Sequence, residues 1–377
     1  MDPEDGLKAA PSGFALFALG FRPFYLLAGG YAALSVAAWG LQYGGWLPGG
    51  DVLWHAHEML FGYAFAVIAG FLLTAVRVWT GRPTPTGPAL AGIAALWVLA
   101  RVLGLVSLPL AGIADLAFAL AVAWGIGRPL IASGNRRNWF FIALVLSLGA
   151  ASLAFQAWPQ LGVAIGLDVV LFVMTVVGGR VIPAFTNSAV PGAAARRNAL
   201  LEKAALGAVL LLLVFDVFSF PVAMLALAAA ALHGARLALW APLATRGKPI
   251  LWILHLSYAW IVVHLALRGL AALELVPAVA ATHALTVGAI GGLTLGMMTR
   301  TSRGHTARPL VIGGAELAAY LLVEAAAVAR VLLPLAAPGA YGAMIALSAA
   351  LWSAAFAVFT VVYFPILSRP RLDGQPG

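Results

Sequence analysis

Seven histidines and no cysteine set the metal chemistry open to this 377-residue chain. Without thiols there is no disulfide, no iron–sulfur cluster and no thiolate metal site. A metal must be held by His, Met, Asp, Glu, Tyr or backbone. Histidine ligation without thiolate suits haem iron or copper and is compatible with zinc or nickel. No CxxCH segment exists, so a haem would be bound non-covalently. The densest group is His55-Ala-His57-Glu58, at the head of the apolar run FGYAFAVIAGFLL. At ~100° per residue, His55 and His57 point about 200° apart on a regular helix. They cannot both ligate one metal. They can serve two centres on opposite sides of one helix, or one can ligate while the other hydrogen-bonds. Glu58 beside them can tune a ligand or relay a proton.

The elements that position these residues belong to a membrane. The chain is 63% hydrophobic and 9% charged, with mean hydropathy +0.99, against roughly 25% charged in a soluble domain. Apolar runs near membrane-spanning length recur from end to end. The spacing predicts an all-α polytopic protein of about twelve transmembrane helices, at 23–43, 53–76, 88–107, 110–131, 138–158, 160–184, 198–216, 220–242, 250–272, 277–299, 309–334 and 338–366. Short connections such as SLPL and WPQ make neighbours antiparallel. The whole chain, 1–377, reads as one integral membrane domain with short tails at 1–13 and 368–377. Its start lacks the basic stretch and cleavage site of a signal peptide.

Positive charge follows the even spans: Arg77 and Arg82; Arg128, Arg136 and Arg137; Arg180, Arg196 and Arg197; Arg246 and Lys248; Arg300, Arg303 and Arg308; Arg369 and Arg371. Loops after odd spans carry almost none. The positive-inside rule therefore places both termini in the cytoplasm. The net charge of +9 is a topology signal, and no nucleic-acid partner is expected.

That orientation gives each histidine a depth. His55 and His57 open span 2 near the outer face, His283 lies about two turns into span 10, and His264 sits at or above mid-membrane. On the inner side lie His255 and, in the loop TRTSRGHTARP, His305. His233 falls near the middle of span 8. A single membrane histidine most simply makes a helix–helix hydrogen bond, but several at matching depth suggest a site. Glycines 62, 70, 288, 291, 292 and 296 on spans 2 and 10 would admit a flat macrocycle or merely close helix packing. On the inner side, Arg22 and Arg180 are flanked by apolar residues and call for an anionic partner. Arg300, Arg303 and the pair His255 and Tyr258, three apart on one helix face, complete that cluster. Glu58, Asp115, Asp168, Asp216, Glu316 and Glu324 suit proton uptake or pairing with arginine.

The segments LGFRPFYLLAG (19–29), WHAHEMLFGYAFAVIAGFLLTAV (54–76), GGRVIPAFTN (178–187), LWILHLSYAW (251–260) and HALTVGAIGGLTLGMMTRTSRGHTARPL (283–310) resemble the NnrS family of bacterial membrane proteins. The resemblance implies a twelve-span inner-membrane protein containing haem and copper, linked to nitric oxide metabolism, denitrification and nitrosative stress. It also implies a layout similar to haem–copper oxidases and nitric oxide reductases, where histidines of spans 2 and 10 hold a haem near the outer face. Those proteins place copper ligands on spans 6 and 7, which carry no histidine here.

The expectation is thus a haem-dependent oxidoreductase reducing nitric oxide to nitrous oxide, with a b-type haem, a less certain copper, and electrons from a quinol or a separate donor. Haem iron falls to His57 and His283, and a second metal to His55 and His264 or to His255 and His305 with Tyr258. Arg22, Arg180 and Arg300 are candidates for haem propionates or a proton path, with Glu58 and Tyr258 as catalytic groups. The alternatives are a haem protein that binds, senses or scavenges nitric oxide without turnover, and a transporter. No repeat between the two halves favours the transporter.

Overall fold

A computed structural model describes residues 13–49 and 51–375. The expected N-terminal tail lies outside the described residues except for Gly13. Among the described residues there is no strand, and the helical segments join into twelve rods. They are α1 (Phe21–Tyr43), α2 (Val52–Thr80), α3 (Gly87–Gly104), α4 (Leu108–Ala132), α5 (Phe140–Ala154), α6 (Pro159–Ala189), α7 (Ala199–Val217), α8 (Ala223–Leu239), α9 (Pro249–Ala272), α10 (Ala278–His305), α11 (Gly314–Ala336) and α12 (Tyr341–Ser368).

Ten rods are long and apolar enough to cross a membrane by length and composition. The two that fall short do so for local reasons. α7 carries Glu202, Lys203 and Asp216, and α8 is only 17 residues long. Expected and observed rods agree to within a few residues, with one consequence for the histidines. α10 continues to His305, so that residue ends a helix rather than sitting in a loop.

Each rod packs on the next in sequence, and α12 closes against α1. α2 is the most buried of the ten, with 83% of its apolar window inside the bundle. Its sequence explains this, because FGYAFAVIAGFLL is apolar on every face. The connections α1–α2, α9–α10 and α11–α12 share one end of the bundle, called the upper end below. Three rods turn π-helical near it: α2 over Glu58–Ala64, α10 over Ala284–Gly291 and α11 over Val328–Leu332. Such stretches put an extra residue into a turn, rotate everything beyond them, and are frequent at functional sites.

Candidate functional site

The upper ends of α1, α2, α6, α10, α11 and α12 surround a cavity of about 470 Å³, within the ~300–1,000 Å³ typical of cofactor sites. Its walls are mostly apolar. His55 comes from the first turns of α2, where Asp51 caps the helix by accepting from the Leu53 amide at 2.8 Å. Its ring stacks on Trp39 of α1, with centroids 4.1 Å apart and planes at 21°. His55 Nδ1 is buried and has no hydrogen-bond partner among the described residues.

His283 enters from α10, whose first turn starts after Pro277. Its Nδ1 donates to the Val279 carbonyl at 2.8 Å. That bond fixes the proton on Nδ1 and leaves Nε2 with a free lone pair, the arrangement of metal-binding histidines. Arg330, in the π-helical turn of α11, also lines the cavity. It is 7% exposed, lies over the Tyr341 ring at 5.4 Å, and has no acidic partner among the described residues. A buried guanidinium without an anion is costly, so this one is expected to meet an anionic group of a ligand. Met59, one turn beyond His55, adds a thioether to the lining.

The opposite face of α2 is different. His57 Nδ1 lies 2.9 Å from Glu58 Oε1, and its Nε2 lies 3.0 Å from Ser152 Oγ and 3.5 Å from Asp115 Oδ2. Arg101 of α3 donates to Glu58 Oε2 at 2.5 Å and also pairs with Asp115. Tyr31 donates to Glu58, and Ser152 donates to Asp115 at 2.8 Å. Both ring nitrogens of His57 are thereby engaged. The expected pairing of His57 with His283 is corrected: His55 faces the His283 cavity and His57 faces α3, α4 and α5. The separation of about 200° sends the two rings to opposite sides of the helix, and the rotation of α2 in the bundle turns the His55 side toward α10. Glu58 is likewise held in an ion pair and does not line the cavity.

The other expected partners are not gathered here. His264 donates from Nδ1 to the Ala281 carbonyl at 2.8 Å, and its buried Nε2 has no partner, but it does not line the cavity with His55. His255 and Tyr258 do share one side of α9. His255 donates to the Leu251 carbonyl at 3.1 Å and approaches Trp240 O at 3.3 Å, while the Tyr258 ring lies 4.6 Å from that of Trp240. The Tyr258 hydroxyl accepts from Arg236 at 2.6 Å and contacts His233 Nδ1 at 2.7 Å. Arg236 in turn forks onto Glu202 at 2.9 and 2.8 Å. This is a packing network of α7, α8 and α9. His305 is elsewhere, its ring 5.6 Å from that of Phe21, so the inner set does not come together.

Arg22 donates to the Leu367 and Arg369 carbonyls at 2.9 and 2.7 Å and fastens the end of α12. Arg180 donates to Asn138 Oδ1 at 2.7 Å. Arg300 stands 3.9 Å over the Phe185 ring. None of the three, expected on the inner side, lines the upper cavity, where the lining arginine is Arg330. The glycines serve helix packing: a Cβ on Gly288 would meet Trp260 at 2.4 Å, and one on Gly291 would meet Trp352 at 2.4 Å.

A haem fits this donor set. Two histidines offer unclaimed ring nitrogens, a buried arginine lacks its anion, and the walls are apolar. For copper the fit is poorer. Among the described residues no three of His, Cys, Asp and Glu converge on one point, leaving His55, Met59 and His283 as the soft donors of the cavity. Arg101 and Arg330 escape a reading of the sequence because each is one charge in an otherwise apolar run. The signal available was an arginine with apolar residues on both sides, as used for Arg22 and Arg180.

No curated protein matches the chain. The family model described as NnrS protein matches residues 15–371, nearly its whole length, and the chain belongs to the NnrS family.

Proposed function

We propose that this protein is a haem-dependent oxidoreductase of the bacterial inner membrane that reduces nitric oxide to nitrous oxide in the upper cavity. Membership of the NnrS family is consistent with a membrane protein of nitric oxide metabolism that carries haem or another metal. The observation that carries the reading is the convergence of His55, His283 and Arg330 on one apolar cavity. In this reading all twelve rods cross the membrane, α7 and α8 included, with the basic loops and both termini cytoplasmic.

His283 would hold the iron, His55 would line the space left for a diatomic ligand, and Arg330 would bind a haem propionate. The haem supplies one-electron chemistry and a place for a diatomic ligand to bind. The Trp39 ring fixes the plane of His55. The apolar walls exclude water and admit a small apolar gas. The reaction joins two nitric oxide molecules with two electrons and two protons to give nitrous oxide and water. The electrons come from a quinol or a separate donor protein.

A second reading, nitric oxide binding without turnover, has one observation in its favour. Among the described residues no carboxyl lines the cavity, and Glu58 and Asp115 are tied to Arg101. Protein purified from membranes should show a reduced-minus-oxidised haem spectrum, and should form nitrous oxide when given nitric oxide and a reductant. A haem spectrum with no nitrous oxide favours the second reading. Absence of haem in protein isolated from haem-replete cells overturns both.

A further inference from the structure

A second cavity lies deeper in the bundle. Its volume is about 70 Å³, and no charged residue lines it. The two cavities run end to end along the same rods. α2 lends Met59 and Tyr63 to the upper one and Val67 and Phe71 to the lower one, at four-residue intervals that keep to one helix face. α10 continues likewise from Ile290 above to Thr294 below. α2 approaches α6 along its π-helical stretch, Glu58–Ala64, and stands away from it farther down, which leaves the lower space open.

One polar contact stands at the junction. Tyr63 lines the upper cavity, Thr294 lines the lower one, and their hydroxyl oxygens are 2.5 Å apart. Thr294 gives its own proton to the Ile290 carbonyl at 2.5 Å, so Tyr63 donates to Thr294. The Tyr63 ring is held edge-on against Trp352 and Phe356, at 5.6 and 5.2 Å. This hydrogen bond thus joins the linings of the two cavities directly.

We propose that the lower cavity is a holding site for a small apolar molecule of diatomic size, exchanging with the upper cavity past the Tyr63–Thr294 pair. A water needs only about 10–15 Å³ of cavity, but it also needs two to four polar partners. The lower cavity has the room, but its lining is almost wholly apolar: Tyr25 and Thr294 bring the side-chain hydroxyls, and that of Thr294 is already bonded to Tyr63 and to the Ile290 carbonyl. Apolar cavities of this kind stay dry and take up xenon. The site itself follows from these walls. That its natural occupant is nitric oxide rests on the function proposed above.

Xenon is the probe that separates the two. The structure of the full-length protein under xenon pressure should show xenon between Val67, Val173 and Leu293. Val67→Phe and, on another rod, Val173→Phe should each displace it without emptying the upper cavity. Tyr63→Phe should keep the site and raise the xenon exchange rate several-fold, read by xenon NMR. No xenon in the wild-type cavity, or xenon there unchanged in a folded filling variant, overturns the proposal. An unchanged exchange rate in Tyr63→Phe removes the gate from it. Xenon bound as expected in a protein that does not consume nitric oxide sustains the holding site and sinks the nitric oxide assignment.

Discussion

Two histidines two residues apart on α2 live in opposite surroundings. Around His57 every charged group has a partner: two carboxylates share one guanidinium, and a serine and a tyrosine complete the set. Around His55 the polar groups stand apart: a ring nitrogen with no partner, a second histidine with a free lone pair, and an arginine with no acid. Buried polar groups in folded proteins are nearly always satisfied. The satisfied face therefore holds rods together, and the unsatisfied face is set up for something that is not protein. In a bilayer the contrast is sharper, because no water is at hand to make up the deficit.

The largest expected effect lies on the satisfied face. Arg101→Ala leaves Glu58 and Asp115 buried without their cation. Breaking a buried pair in this way costs on the order of 3–5 kcal/mol. The variant should unfold at a clearly lower temperature in detergent and accumulate poorly in membranes. Arg330→Ala removes a cation that has no acid to leave behind, so the haem-free protein should unfold no earlier than wild type. A drop in Arg330→Ala as large as that of Arg101→Ala would move Arg330 to the structural set.

Next come the histidines. His283→Ala should abolish the haem spectrum and leave the haem-free stability nearly unchanged. His55→Ala should weaken or shift that spectrum. His57→Ala should keep the spectrum and cost about 1–3 kcal/mol, since it leaves buried donors and acceptors unpaired. Haem lost from His57→Ala but retained in His55→Ala would reverse the assignment of the two faces. Arg330→Gln, which loses a charge-assisted hydrogen bond worth about 1.5–3 kcal/mol, should weaken haem binding roughly 10- to 100-fold in a titration of haem-free protein.

Much of this division was within reach of the sequence, and the reasons are physical. Apolar runs broken by Pro, Gly and Arg locate the rods. Helical geometry alone sends His55 and His57 to opposite sides of α2. Which side meets α10 depends on how α2 is rotated in the bundle, and no local pattern encodes that when the helix is apolar all round. The π-helical turns hide the rest. The one in α11 sits at Arg330, so a face drawn at 3.6 residues per turn drifts off near the residue that completes the cavity. Glu316 and Glu324, spaced to share a face of α11, have different partners. Glu316 pairs with Arg303 at 2.6 Å, whereas Glu324 accepts only from Ser257 and Trp260, both at 2.8 Å. Acids in α2, α4, α6 and α7 found arginines on other rods, Arg101 and Arg268, which sequence distance conceals.

Glu324 is the case that falls between the two faces of α2, and it carries the smallest predicted effect. It is a buried carboxyl with hydrogen bonds to both oxygens and no cation. Glu324→Gln keeps the shape and one acceptor oxygen, while its amide meets the second donor, at a cost of about 1 kcal/mol. If Glu324 only braces α9 against α11, the variant should lose that much stability, keep its haem spectrum and consume nitric oxide at the wild-type rate. Bonded to neutral donors alone, Glu324 is, among the described residues, the buried carboxyl that can gain and lose a proton without breaking an ion pair. Nitric oxide consumption that falls tenfold or more in Glu324→Gln, with haem content and stability preserved, would make it the proton source that the upper cavity lacks.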